Sequence, residues 1–152
     1  MAIVRDCKQT ENHPQIRAFV DAVNAAISDG ILSQSQFQDR DFTQYWSNSV
    51  ITRYIEDKDD FLFVLVGGEL VAVAGQDMTG KYVSDINFNA MTQELRDFNL
   101  DVIRECRPIY CSGSLDIANQ GYKTWRQVKI PFEMNGQRNQ TLGYTIFEVE
   151  AA

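Results

Sequence analysis

The hydrophobic pattern changes period several times along the chain. Residues 61–66 (FLFVLV) and 70–74 (LVAVA) are short runs of β-branched and aromatic residues flanking Gly67-Gly68-Glu69. A Gly-Gly pair accepts the positive φ angles of a tight reversal, so this stretch predicts an antiparallel hairpin. Residues 75–80 (GQDMTG) then break the alternation with a polar, glycine-punctuated turn. A helical period follows over 88–106, with Phe88, Met91, Leu95, Phe98, Val102 and Ile103 on one face and Asn87 or Asn89 available as cap. Glu94, Arg96, Asp97, Asp101 and Arg104 fall on the opposite face. Three further strand-like runs occupy 109–115, 122–132 and 141–149, so the order is two strands, a helical crossing, three strands.

Ahead of this core, residues 1–10 form a polar lead whose only apolar patch is Ile3-Val4, which predicts a loose tail. Over 14–28 the residues Ile16, Phe19, Val20, Val23 and Ile27 recur at helical spacing, with Asn12 as N-cap, Pro14 in the first turn and Asp29-Gly30 as stop. That stripe can pack on the chain's own sheet or meet the same stripe on a second copy. Residues 31–38 read as a loop anchored by Leu32 and Phe37. A second helix is expected from Asp41, where Asp41 and Gln44 have capping-box spacing and Phe42, Tyr45, Trp46, Ser49, Ile51 and Tyr54 cover much of its circumference. The run 56–60 (EDKDD) reads as a solvated loop.

Composition narrows the function classes. With 152 residues, 44% hydrophobic and 23% charged, the chain suits one compact domain. A net charge of −7 argues against nucleic-acid or anionic-membrane surfaces, which need clustered Lys and Arg. No apolar run approaches the roughly 20 residues that span a bilayer, and no signal segment is visible, so a cytoplasmic location is expected. Cys7, Cys106 and Cys111 lack disulfide or metal-ligand spacing and should be reduced.

The ordered set of elements resembles a PAS domain, a sensory module with a five-stranded antiparallel sheet and helices over one face. Gly75-Gln76-Asp77-Met78-Thr79-Gly80 is similar to the G-x-D-x-x-G turn after the second PAS strand. Ile130-Pro131-Phe132 with Asn135-Gly136 is similar to the turn between the last two strands. Tyr45-Trp46 ahead of the core resembles short stand-alone proteobacterial PAS proteins with N-terminal helices. The resemblance covers about residues 41–149. It implies an α+β fold: two N-terminal flanking helices within residues 1–57 and a PAS-like core over 58–150.

In such domains small ligands sit between the long helix and the sheet. The candidate lining here is Phe63, Leu65, Val71, Phe88, Met91, Leu95, Tyr110, Trp125 and Val128, with the face of each strand residue open by one register step. Trp125 falls on the nominally polar side of its strand, with Lys123, Gln127 and Lys129; that side faces either solvent or the pocket. Flanking helices in PAS proteins often form dimer contacts, which makes Ile16, Phe19, Val20, Val23 and Ile27 the candidate homodimer surface.

Catalytic chemistry has no constellation behind it. His13 is the single histidine, which disfavours histidine-ligated haem and Ser-His-Asp or Cys-His sets. No N-C-R-F flavin motif or P-loop is present, and Asp77, Asp85 and Asp116 read as turn carboxylates. The expectation is a non-enzymatic bacterial sensory or signalling domain without cofactor or metal. It binds a small molecule and passes the signal through dimer contacts or a separate signalling partner protein. The alternative is a ligand-free protein-interaction or dimerisation module.

Overall fold

The computed structural model describes residues 3–27, 30–86, 91–114 and 122–149. Its centre is a seven-stranded sheet in the order β1-β5-β6-β7-β3-β4, all neighbours antiparallel, with β2 added parallel to β6. The strands are β1 (Val4–Arg5), β2 (Leu32–Ser33), β3 (Ser49–Ile55), β4 (Asp60–Val66), β5 (Ile109–Ser114), β6 (Tyr122–Met134) and β7 (Gln137–Val149). The helices are α1 (Lys8–Glu11), α2 (Pro14–Ala26), α3 (Gln34–Phe37), α4 (Gly68–Ala74) and α5 (Thr92–Glu105), with a 3-10 run over Arg40–Asn48. The architecture is α+β, with seven strands where five are expected.

The order of two strands, helical crossing and three strands is present, but its first pair is shifted along the chain. β4 pairs with β3, register Val50↔Val66 to Ile55↔Asp60, and the acidic run 56–59 is the loop between them, turning through Asp59 at φ 48°. The expected helix from Asp41 therefore stops at Asn48. Its N-cap is Asp39, whose carboxylate accepts the Asp41 N–H at 3.1 Å. Ser49-Val-Ile-Thr then supplies three consecutive β-branched residues, stiff at χ1 and suited to a pleated surface.

The expected second arm of the hairpin, residues 70–74, is helix α4. Leu70 and Val73 are its buried residues, a helical step apart, and Gly75 ends it in the left-handed conformation at φ 76°. Gly67 has φ −65°, so it is not a turn glycine; a Cβ there would lie 2.4 Å from the carbonyl oxygens of Trp46 and Ser47. Gly67 marks a close backbone crossing between β4 and the 3-10 run instead of a reversal, while Gly68 begins α4 with open space at its Cβ position.

The N-terminal segment is also more ordered than a tail. β1 pairs with β5, the Ile3 N–H donates to Glu94 at 2.8 Å, and Arg5 pairs with Asp101 at 2.5 Å. In the 31–38 stretch, Ser33 and Gln36 form a reciprocal capping box at the start of α3. β3, within the segment 1–57, lies between β7 and β4 inside the sheet.

Helices cover both faces of the sheet, not one. On the first face, α2 buries Ile16, Phe19 and Val23 against Val128, Ile130, Leu142, Tyr144 and Ile146. Val20 and Ile27 are partly buried in the same cluster. The stripe expected as a dimer contact thus packs mainly within the chain: Ile16 and Phe19 are 0% exposed and Val23 3%. His13, not Asn12, caps the helix, its Nδ1 accepting the Gln15 N–H at 3.2 Å. On the second face lie α5 and α4.

Candidate functional site

Strand alternation decides what α5 covers. Along β6, Val128 and Ile130 point toward α2, so Trp125, Gln127 and Lys129 point toward α5. Along α5, Leu95, Asn99 and Val102 recur at i, i+4 and i+7 and face the sheet. The middle of this interface is polar. Asn99 is 1% exposed, Thr52 1%, Thr141 0%, Lys129 4% and Gln127 8%.

Asn99 is the hub. Its Oδ1 accepts from the Lys129 ammonium at 2.6 Å, the Thr141 hydroxyl at 2.8 Å and the Thr52 hydroxyl at 3.2 Å, while its Nδ2 donates to the Leu95 carbonyl at 2.8 Å. The two threonine oxygens lie 2.6 Å apart, so one hydroxyl donates to the other and only that other donates to Asn99 at a time. The Gln127 amide donates to the Thr145 hydroxyl at 2.7 Å.

Lys129 is a fully enclosed cation. Burial pulls its pKa down to about 8, because a low-dielectric interior disfavours the charged form. The Phe98 ring sits 5.8 Å from its Nζ, a weak cation–π contact. Buried Cys111 lies close enough to couple to it; burial pushes that thiol well above its ordinary range and leaves it un-ionised.

The expected pocket residues divide between the two faces. Phe63 is buried on the α5 face, and Met91, Leu95 and Trp125 are half-buried there. Val128 and Tyr110 belong to the α2 face, on the far side of the sheet. Leu65 is 41% exposed, and Val71 sits on α4 instead of a strand. Phe88 lies outside the described residues. The register step left open by the sequence is thereby resolved against Val128 and Tyr110.

The core of this interface, Lys129, Asn99, Thr52 and Thr141, was not among the expected residues. Two signals carried it: a polar row Lys123-x-Trp125-x-Gln127-x-Lys129 on a strand with apolar residues at Val128 and Ile130, and one amide inside the apolar stripe of α5. Trp125 itself lies across its cross-strand neighbour Gly113, where a Cβ would come within 2.5 Å of the indole.

Two other polar groups stand apart from this interface. A surface cleft of about 380 Å3 is lined by Lys58, Asp59, Asp60, Ser84, Thr92, Gln93 and Arg96. Its central charges are already engaged, and Lys58 sits over the Tyr82 ring. Arg96 pairs with Asp59 at 2.5 Å and Asp97 at 2.7 Å, Tyr54 donates to Asp59 at 2.6 Å, and Asp60 accepts from Ser84 and the Phe61 N–H. At the far end of β6, the Arg126 guanidinium contacts the Cys7 sulfur at 3.8 Å and pairs with Glu148. Burial works to raise the Cys7 pKa, but hydrogen bonds from Thr10 and Ser112 outweigh it and bring the thiol to about 7. Among the described residues no cluster of three or more His, Cys, Asp or Glu could hold a metal ion, and no helix is long and apolar enough to cross a membrane.

No protein-family model matches the chain, and no curated protein matches it.

Proposed function

We propose that the chain is a PAS-like sensory domain that takes a small molecule between α5 and the sheet. The observation that carries this reading is the polar row beneath α5. An interface built only for stability would be apolar throughout, because each enclosed polar group must be matched by a partner and a buried charge costs several kcal/mol. The run of two strands, helical crossing and three strands supports it. The turn at 75–80 follows α4 instead of a strand, but Gly75 and Gly80 take φ 76° and 85° there and Asp77 accepts the Thr79 N–H at 3.0 Å. Asn135 and Gly136 close the last hairpin with φ 53° and 76°.

Binding under α5 would move that helix against the sheet. The signal would then leave through α5 or the segments joined to it, toward a separate partner protein. The apolar stripe of α2 is not the output surface, since it is buried in its own chain.

The second reading, a ligand-free interaction module, is favoured by Trp46 and Leu65, which are 40% and 41% exposed. Native mass spectrometry of the gently purified chain separates the two. A reproducible small-molecule adduct that disappears on denaturation is the expected result. A bare mass, with α5 amide-exchange rates unchanged by a metabolite screen, would overturn the sensory reading in favour of the module.

A further inference from the structure

We infer that the site beneath α5 takes a small organic acid, with its carboxylate on the Lys129 ammonium and its apolar body against Leu95 and Trp125. This inference rests on the ligand-binding reading above and names the ligand's chemistry.

The Lys129 ammonium has more hydrogens than the acceptor it bonds to can take. The ammonium carries three N–H donors, and Asn99 Oδ1 is its hydrogen-bond acceptor among the described residues. That oxygen's two lone pairs are filled by Lys129 and by whichever threonine hydroxyl points at it, which leaves it no capacity for a second ammonium hydrogen. Gln127, two residues away on the same face of β6, adds a second amide N–H beyond the one given to Thr145. No carboxylate among the described residues lies within ion-pair range of Lys129.

An anion would take the ammonium hydrogens that Asn99 leaves over. A buried cation is stabilised when a well-placed negative group takes its remaining hydrogens, and charge-assisted bonds of that kind are roughly twice as strong as neutral ones. One ammonium with one neighbouring amide suits a single negative charge. A phosphate dianion would need several more donors than this face offers, so a monocarboxylate is the match.

The surroundings fix the rest of the ligand. Leu95 stands four residues before Asn99 on α5, and Trp125 stands four residues before Lys129 on β6. Both are half-buried, as is Met91 beside them, so the row runs from an enclosed charged end to a partly exposed apolar end. An amphiphilic acid fits that polarity, head inward.

Thermal-shift titrations of the full chain with acetate, hexanoate, benzoate and 1-hexanol test this, in the wild type and in Lys129→Met. Hexanoate or benzoate should raise the wild-type melting temperature, acetate should do so less, and the acids should bind roughly ten- to a hundredfold more weakly to Lys129→Met. Equal acid binding by both proteins, or no response to any acid, would overturn the assignment. Binding of 1-hexanol as tight as that of hexanoate would overturn the anion while leaving a ligand site under α5. If no additive binds and native spectra show no adduct, both readings fall. Should Lys129→Met not fold, Lys129→Gln in the same titration decides.

Discussion

The two faces of the central sheet are built from the same strands to opposite specifications. Toward α2, β6 and β7 present Val128, Ile130, Leu142, Tyr144 and Ile146, all 5% exposed or less. Phe19 stacks on Tyr144 with ring centroids 4.7 Å apart and meets Tyr45 edge-on at 5.3 Å. Toward α5, apolar groups gather at two ends, around Phe61, Phe63 and Leu100 on one side and Ile3, Phe98 and Ile109 on the other. Between them runs the strip of Thr52, Thr141, Asn99, Lys129 and Gln127. The α2 face is organised by packing, and the α5 face by a hydrogen-bonded cluster around one charge. Burial alone does not separate a stabilising interface from a specialised one; the chemistry of what is buried does.

Substitutions should expose that asymmetry. The largest effect belongs to the packed face. Phe19→Ala removes a fully buried ring from an aromatic cluster and should cost about 3–5 kcal/mol of stability in urea unfolding. A cost below about 1 kcal/mol would mean that α2 is loosely seated and the contrast between faces is wrong.

On the polar face the sign should depend on which partner is removed. Asn99→Ala strips the ammonium of its acceptor and leaves a buried charge uncompensated, an expected loss of about 3 kcal/mol. Lys129→Met removes the charge, keeps the stem length, and should stabilise the ligand-free fold by about 1–4 kcal/mol. In the Lys129→Met background, Asn99→Ala should cost far less than in the wild type. Additive effects in that double-mutant cycle would show that the two side chains do not act as a unit.

How much of this could be read in advance differs by level. The helix at 14–28, the helix ending at Cys106 and the last three strands follow from period alone, because each segment has one dominant face. The misreadings came where a glycine or a short apolar run admits two physical uses. Gly67-Gly68 has the composition of a turn, but Gly67 serves a close approach to the Trp46 and Ser47 carbonyls, which only a distant segment can reveal. Ser49, Ile51 and Tyr54 continue the helical spacing of Phe42, Tyr45 and Trp46, yet consecutive β-branched residues and pairing to β7 prevail over 49–55. The site was half visible for a similar reason. Lys129 and Gln127 sit on the polar side of an amphipathic strand, which a local pattern assigns to solvent; α5, arriving from some thirty residues earlier in the chain, encloses them.

The smallest effect is a pH dependence that reports on Lys129 directly. Its pKa is about 8 when folded, against 10.5 for an ordinary lysine. Between those values the unfolded chain holds the proton and the folded chain does not, so stability rises with pH there, by up to about 1.4 kcal/mol per pH unit. Two thiols act in neighbouring windows. Cys7, lowered from 9.0 to about 7, also adds stability as pH rises between those values. Cys111, raised above 9.0 by burial, works in the other direction once the unfolded thiol begins to ionise. Comparing wild type with Lys129→Met at each pH cancels both thiols' contributions to the extent that their own pKa values are unchanged. The advantage of Lys129→Met should shrink by up to about 1.4 kcal/mol from pH 8 to pH 9, read by urea unfolding. An advantage constant over that interval would mean that the lysine titrates elsewhere, and the α5 face would then hold an ordinary cation that the fold has already compensated.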